Sequence, residues 1–117
     1  MTRNAEEHLE EALLTLIARV TRPLGAQSEK IMRQAELARV VRYLPTMIDV
    51  AVPEDCQSVA IPDGPAPGRA LIYSDDIATG EVLVWVRDGR LIGLEQAWYT
   101  DDPPNSWPSA DRVRVAR

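Results

Sequence analysis

The stretch Glu81-Val-Leu-Val-Trp-Val-Arg87, then Asp88-Gly89, then Arg90-Leu-Ile-Gly-Leu-Glu-Gln-Ala-Trp-Tyr99 decides how this chain folds. Two runs rich in β-branched and aromatic residues flank an Asp-Gly pair, the two-residue turn whose backbone twist suits a β-hairpin. With the turn at Asp88-Gly89, Val86 faces Leu91, Trp85 faces Ile92, Val84 faces Gly93 and Leu83 faces Leu94. Alternation then puts Leu83, Trp85, Ile92, Leu94 and Trp98 on one face, and Val82, Val84, Val86, Leu91 and Ala97 on the other. Both faces are apolar near the turn, so part of this ribbon must be covered on both sides or paired with a partner. Trp85 and Trp98 are expected in the core on a shared inner face. Glu95 falls opposite Val82, as a salt-bridge partner for Arg39, Arg42 or Arg90, an edge-facing charge, or a poised acid whose pKa burial would raise.

Working outward, Ala70 to Tyr73 is a plausible strand beside the ribbon, and Met47 to Val52 another. Leu37, Val40, Val41 and Leu44 fit helical spacing, but Val40, Val41 and Tyr43 favour a strand, and a strand over 38–43 is the reading adopted. At the start, Leu9, Leu13, Leu16, Ile17 and Val20 lie within an arc of about 100° at helical spacing. This predicts a helix over 5–20, capped by Asn4 with Glu7 returning a bond, and stopped by Pro23 and Gly25. Leu14 lies off the stripe. A second helix is expected over 28–36, capped by Ser28, with Ile31, Met32 and Ala35 buried. Residues 53–69 carry four prolines and two glycines, which makes them a loop, with a short extended piece at Val59 to Ile61. Loops this long are functional or disordered, and disorder is the expectation here. The tail, 100–117, ends in Asp111-Arg-Val-Arg-Val-Ala-Arg117, a terminal strand or a frayed end. The expected fold is α+β: two amino-terminal helices on a mainly antiparallel sheet of four to five strands, in one domain.

The chain has 117 residues, 45% apolar and 26% charged, with net charge −5. A chain of this length buries roughly two-thirds of its unfolded surface without disulfide or metal staples. A negative net charge argues against a phosphate-backbone binder, so no nucleic-acid partner is expected. Residues 1–44 hold seven basic and six acidic groups, while 45–117 hold six basic and twelve acidic ones. The sheet half therefore carries the negative surface. With one cysteine no intramolecular disulfide can form, and no secretion signal or membrane span is legible, which points to the cytoplasm.

The block Gly80 to Pro104, with Trp107-Pro108 after it, resembles the endings of small α+β domains from high-GC bacteria. Such endings have a strand closing in Leu-Glu, an aromatic pair, an acidic pair and proline. The likeness covers about a quarter of the chain, and more weakly Ala38 to Arg42 followed by Ile48-Asp-Val50. Some similar chains carry a Cys/Gly-rich turn between those two strands. Here the turn is Tyr43-Leu-Pro-Thr46, so a metal reading does not transfer. The resemblance implies no activity and no catalytic residue. Small acidic proteins of this kind include immunity proteins that neutralise toxins, an analogy of class only.

Chemistry-bearing residues are few. His8 is the only histidine and is expected to be solvated in the first turns of helix one. Cys56 follows Glu54-Asp55, carboxylates that would hold a thiol protonated. One Cys and one His leave too few of the usual zinc ligands, and no cofactor is expected. The Lys-Ser/Thr of a phosphate-binding loop does not follow Gly64 or Gly68. The acidic pairs Asp75-Asp76 and Asp101-Asp102 close two strands. They are ordinary turn residues, or a site for a hard cation, or an acid/base pair. Trp98, Tyr99, Asp101, Asp102 and Trp107 form the candidate protein-binding set, because aromatic anchors dominate interface energy. The favoured function is a non-enzymatic protein-interaction module, immunity-like or regulatory. Homodimerisation through the ribbon is possible, and a small carboxylate-dependent hydrolase or lyase, cation-assisted or not, is the alternative.

Overall fold

The computed structural model describes residues 7–116. Two helices, α1 (Glu11–Thr21) and α2 (Ala26–Leu37), are joined by a 3-10 turn over Arg22–Leu24. Seven strands follow: β1 (Arg39–Tyr43), β2 (Met47–Ala51), β3 (Gly64–Pro65), β4 (Arg69–Ser74), β5 (Ile77–Arg87), β6 (Arg90–Trp98) and β7 (Val113–Ala116). They form one antiparallel sheet in the order β1-β2-β6-β5-β4-β7, with β3 alongside β5 at Trp85 and Val86, next to the Asp88-Gly89 turn. The helices pack on one face, so the fold is α+β as expected. The strand count rises from four or five to seven because Gly64–Pro65 and the tail both pair.

The leucine stripe is buried as its spacing requires: Leu13, Leu16, Ile17 and Val20 all meet the sheet layer, and Leu14 joins the core too. The first helix begins later than its apolar spacing suggested. Glu10 is extended, with no side-chain cap bond, and the Val40 amide donates to the Glu7 carbonyl at 2.8 Å. Pairing with the start of β1 takes Glu7 and His8 out of the helix; His8 bridges Arg39 and is half-buried rather than solvated. Leu9 still reaches the core from this extended segment. The expected cap Asn4 lies outside the described residues.

The hairpin turns where Asp-Gly requires. Asp88 has φ 51° and Gly89 φ 72°, the positive pair of a two-residue hairpin turn. Arg87 pairs Arg90 and Val86 pairs Leu91, but then a bulge intervenes and Trp85 pairs Gly93, Val84 pairs Leu94 and Leu83 pairs Glu95. One inserted residue moves every later side chain of β6 to the opposite face. Leu94, Gln96 and Trp98 therefore share the helix-facing side with Val82, Val84 and Val86, while Leu83 and Trp85 turn to the other side. The expected inner face of tryptophans is corrected. The valines are the core, Trp85 lies half-buried on the outer face, and Trp98 is 43% exposed beyond the helices.

Residues 53–63 are fastened over the turn end of the sheet rather than disordered. Val59 and Ile61 are in the core. The Val59 amide donates to the Gly89 carbonyl at 2.9 Å, and the Asp88 amide donates to Asp63 Oδ1 at 2.8 Å. Buried Gln34 on α2 ties these parts together. Its Nε2 donates to the carbonyls of Gln57 and Gly89, and its Oε1 accepts the Leu91 amide at 2.8 Å. Every polar valence that this side chain buries is thus used, as burial of an amide demands.

Candidate functional site

The opposite end of the sheet is built differently. There the β1–β2 turn, the β4–β5 turn and the end of β6 come to the same side of the molecule. The segment following β6 is anchored by the second buried glutamine. Gln96 Nε2 donates to the carbonyls of Pro45 and Ser106, and the Gln96 amide donates to the Thr46 carbonyl. Trp107 completes the anchor, donating its indole N–H to the Leu44 carbonyl at 3.0 Å and packing half-buried against the core. The Tyr99 amide holds the Thr79 carbonyl at 2.9 Å. These bonds satisfy backbone groups and leave the aromatic rings outside. Five of the seven large apolar side chains that stand exposed among the described residues, Tyr43, Leu44, Ile77, Trp98 and Tyr99, are at this end.

All four aspartates of the two acidic pairs are exposed and at the same end. Asp75 and Asp76 form the turn between β4 and β5, with Asp75 at φ 54°, a conformation that Asp tolerates better than most side chains. Thr100 Oγ1 donates to the Asp102 carbonyl, an ordinary turn bond. Among the described residues no three of His, Cys, Asp and Glu gather where they could hold a metal ion. Of the candidate binding set, Trp98, Tyr99, Asp101 and Asp102 therefore present themselves to solvent, while Trp107 serves as a strap.

A small pocket of about 140 Å³ opens beside Trp98, walled by Gln96, Thr79, Pro104, Ser106 and Arg112. None of the four aspartates lines it. Its walls combine an indole, prolines and polar groups. On the outer face, Glu95 accepts the Trp85 indole N–H at 3.0 Å. Its partner is thus an aromatic, and not Arg39, Arg42 or Arg90, the salt-bridge partners that the sequence offered beside an edge-facing charge or a poised acid. Arg42 pairs instead with Asp49 across β1 and β2 at 3.1 Å. Arg90 reaches the carbonyls of Glu54 and Asp88 at the turn end. Tyr43 has its phenol pKa raised, first by burial and then by the charge of Glu10.

Cys56 lies half-buried in a separate recess of about 180 Å³ shared with Lys30, Arg33 and Gln34. Sequence neighbours suggested an acidic setting, but the fold brings α2 cations to it. The two glutamine anchors carried no sequence signal beyond a polar residue inside an apolar pattern. No helix among the described residues is long and apolar enough to cross a membrane. No family model, curated protein or solved structure matches the chain.

Proposed function

We propose that this chain is a non-enzymatic protein-interaction module, immunity-like or regulatory in role, that engages a partner through the aromatic and acidic end of its sheet. The carrying observation is the exposure of Trp98 (43%) and Tyr99 (50%) on a segment that Gln96 and Trp107 fasten to the sheet. Large rings held outside the core forgo burial worth about 2 kcal/mol each, and pre-ordering them lowers the entropy lost on association. Asp75, Asp76, Asp101 and Asp102 around them favour a partner with basic groups at the rim of its contact surface. The alternative of a carboxylate-dependent hydrolase or lyase needs acids held in a pocket, where burial could tune their ionisation; these four occupy exposed turns.

Affinity capture from the native host, with wild-type chain beside a Trp98→Ala/Tyr99→Ala variant, tests the reading. A stoichiometric protein retained by wild type and lost by the variant is the expected result. Recovery of no stoichiometric protein, or equal recovery by both chains, overturns it.

A further inference from the structure

The other edge of the sheet carries a separate surface. β7 is last in the strand order, so among the described residues nothing pairs with its outer side. An edge strand turns alternate amides and carbonyls outwards as a template for another strand. Along β7 opens a cleft of about 560 Å³. Val113, Arg114 and Val115 form one wall, and Arg19, Arg22 and Gly25, from the end of α1 and the turn after it, form the other.

The charge of this cleft is opposite to that of the molecule. Arg19 uses its Nε on the Ala110 carbonyl at 3.1 Å, which fixes the side chain and leaves its two terminal nitrogens for other acceptors. Arg22 is exposed, and Arg114 lies over the Tyr73 ring at 4.3 Å. Among the described residues none of these three arginines is in an ion pair. Asp111, the only acid in the wall, accepts the Ser109 hydroxyl. Three guanidinium groups against one carboxylate leave a positive excess beside an open strand edge, on a chain of net charge −5, and this favours a ligand that is both negative and extended.

We propose that the β7 edge and its cleft form a second docking site, which takes an acidic, extended peptide segment of a partner protein as an added strand. Main-chain bonds to β7 supply affinity in this mode, and side chains reaching the flanking pockets supply specificity. Acidic residues on the helix-facing side of the added strand meet Arg19 and Arg22, and those on the outer side meet Arg114. Planar guanidinium groups suit carboxylates through paired N–H donors. The site shares no residue with the aromatic end, so it neither requires nor excludes the interaction proposed there.

The test uses the full chain and a fluorescein-labelled octapeptide, blocked at both ends, that alternates Glu and Val, followed by anisotropy at about 50 mM salt, where charge attraction is little screened. Saturable binding is expected, weakened roughly tenfold or more by Arg22→Glu and abolished by N-methylation of alternate peptide amides. Arg22 is exposed, so an unchanged melting temperature verifies that the variant folds. Absence of binding up to millimolar peptide overturns the proposal, as does equal binding of the methylated peptide or of a Lys-Val peptide. Tighter binding of a single-stranded oligonucleotide of matched charge assigns the cleft to nucleic acid and also overturns it. So does self-association of the chain that Arg22→Glu removes, which assigns the edge to a second copy.

Discussion

The two ends of the sheet are built from similar parts and put to opposite use. Each has one buried glutamine crossing from the secondary-structure layer to an irregular segment: Gln34 at the Asp88-Gly89 end, Gln96 at the other. At the turn end the fastened segment contributes Val59 and Ile61 to the core, and its contacts face inward. At the far end the fastened segment sends Trp107 and Pro108 inward, while Trp98 and Tyr99 stay exposed. The difference teaches that order alone does not mark a functional surface. A fastened segment that still exposes its large rings is what the proposed interaction rests on, because ordering without burial has no return in the isolated fold.

The contrast predicts that stability is concentrated at the turn end. Replacing Gln34 by Leu is expected to have the largest effect, because the Leu91 amide and the Gln57 carbonyl lose their partner inside the structure. A loss of about 2–4 kcal/mol in urea unfolding is the expected outcome. Gly89→Ala comes next. Gly89 sits at φ 72°, and an added Cβ would lie 2.7 Å from Cβ of Ser58 and 3.1 Å from the Val59 carbonyl oxygen. Strain at such a position costs about 1–3 kcal/mol, read as a lower denaturant midpoint with an unchanged slope. By contrast Trp98→Ala should move unfolding by only about 0.5–1 kcal/mol, since the ring is largely outside the core, while removing partner capture. If Trp98→Ala proved as damaging to stability as Gln34→Leu, the distinction between the two ends would fall.

The smallest expected effect concerns pH. Burial and then Glu10 raise the Tyr43 phenol pKa in the folded chain. The unfolded phenol therefore loses its proton at a lower pH than the folded one. Tyr43 contributes stability that is fully present below about pH 10, the ordinary tyrosine pKa, and is lost as pH rises through the folded pKa. Unfolding midpoints compared at neutral and alkaline pH should show a fall for wild type that is smaller in Tyr43→Phe.

Local patterns in the sequence account for most of the fold. The leucine spacing placed α1 on the sheet, Asp-Gly placed the hairpin, and β-branched runs located β1, β2, β4, β5 and β6. What escaped is non-local. The bulge beside Gly93 depends on how closely β2 approaches β6: a Cβ there would lie 2.4 Å from the Ile48 carbonyl oxygen, a constraint that only the paired strand reveals. Because that single inserted residue resets side-chain alternation, Trp85 parts from Leu94 and Trp98: it turns to the outer face while they stay on the helix-facing side. The proline-rich segment was misread for a related reason, since its order derives from Gln34 and Asp63 meeting a turn far away in sequence. Trp98, Tyr99, Asp101 and Asp102 are exposed at one end of the sheet, but Trp107 is a brace, its indole committed to Leu44.

Amide hydrogen exchange of the chain, alone and bound to a protein captured from its native host, tests the central claim most directly. The account predicts that binding slows exchange in residues 43–47, 74–79 and 96–106, leaving residues 57–63 and 87–91 unchanged because they are already protected. Protection that appears at the Asp88-Gly89 end, with the segment around Trp98 and Tyr99 unaffected, would contradict it.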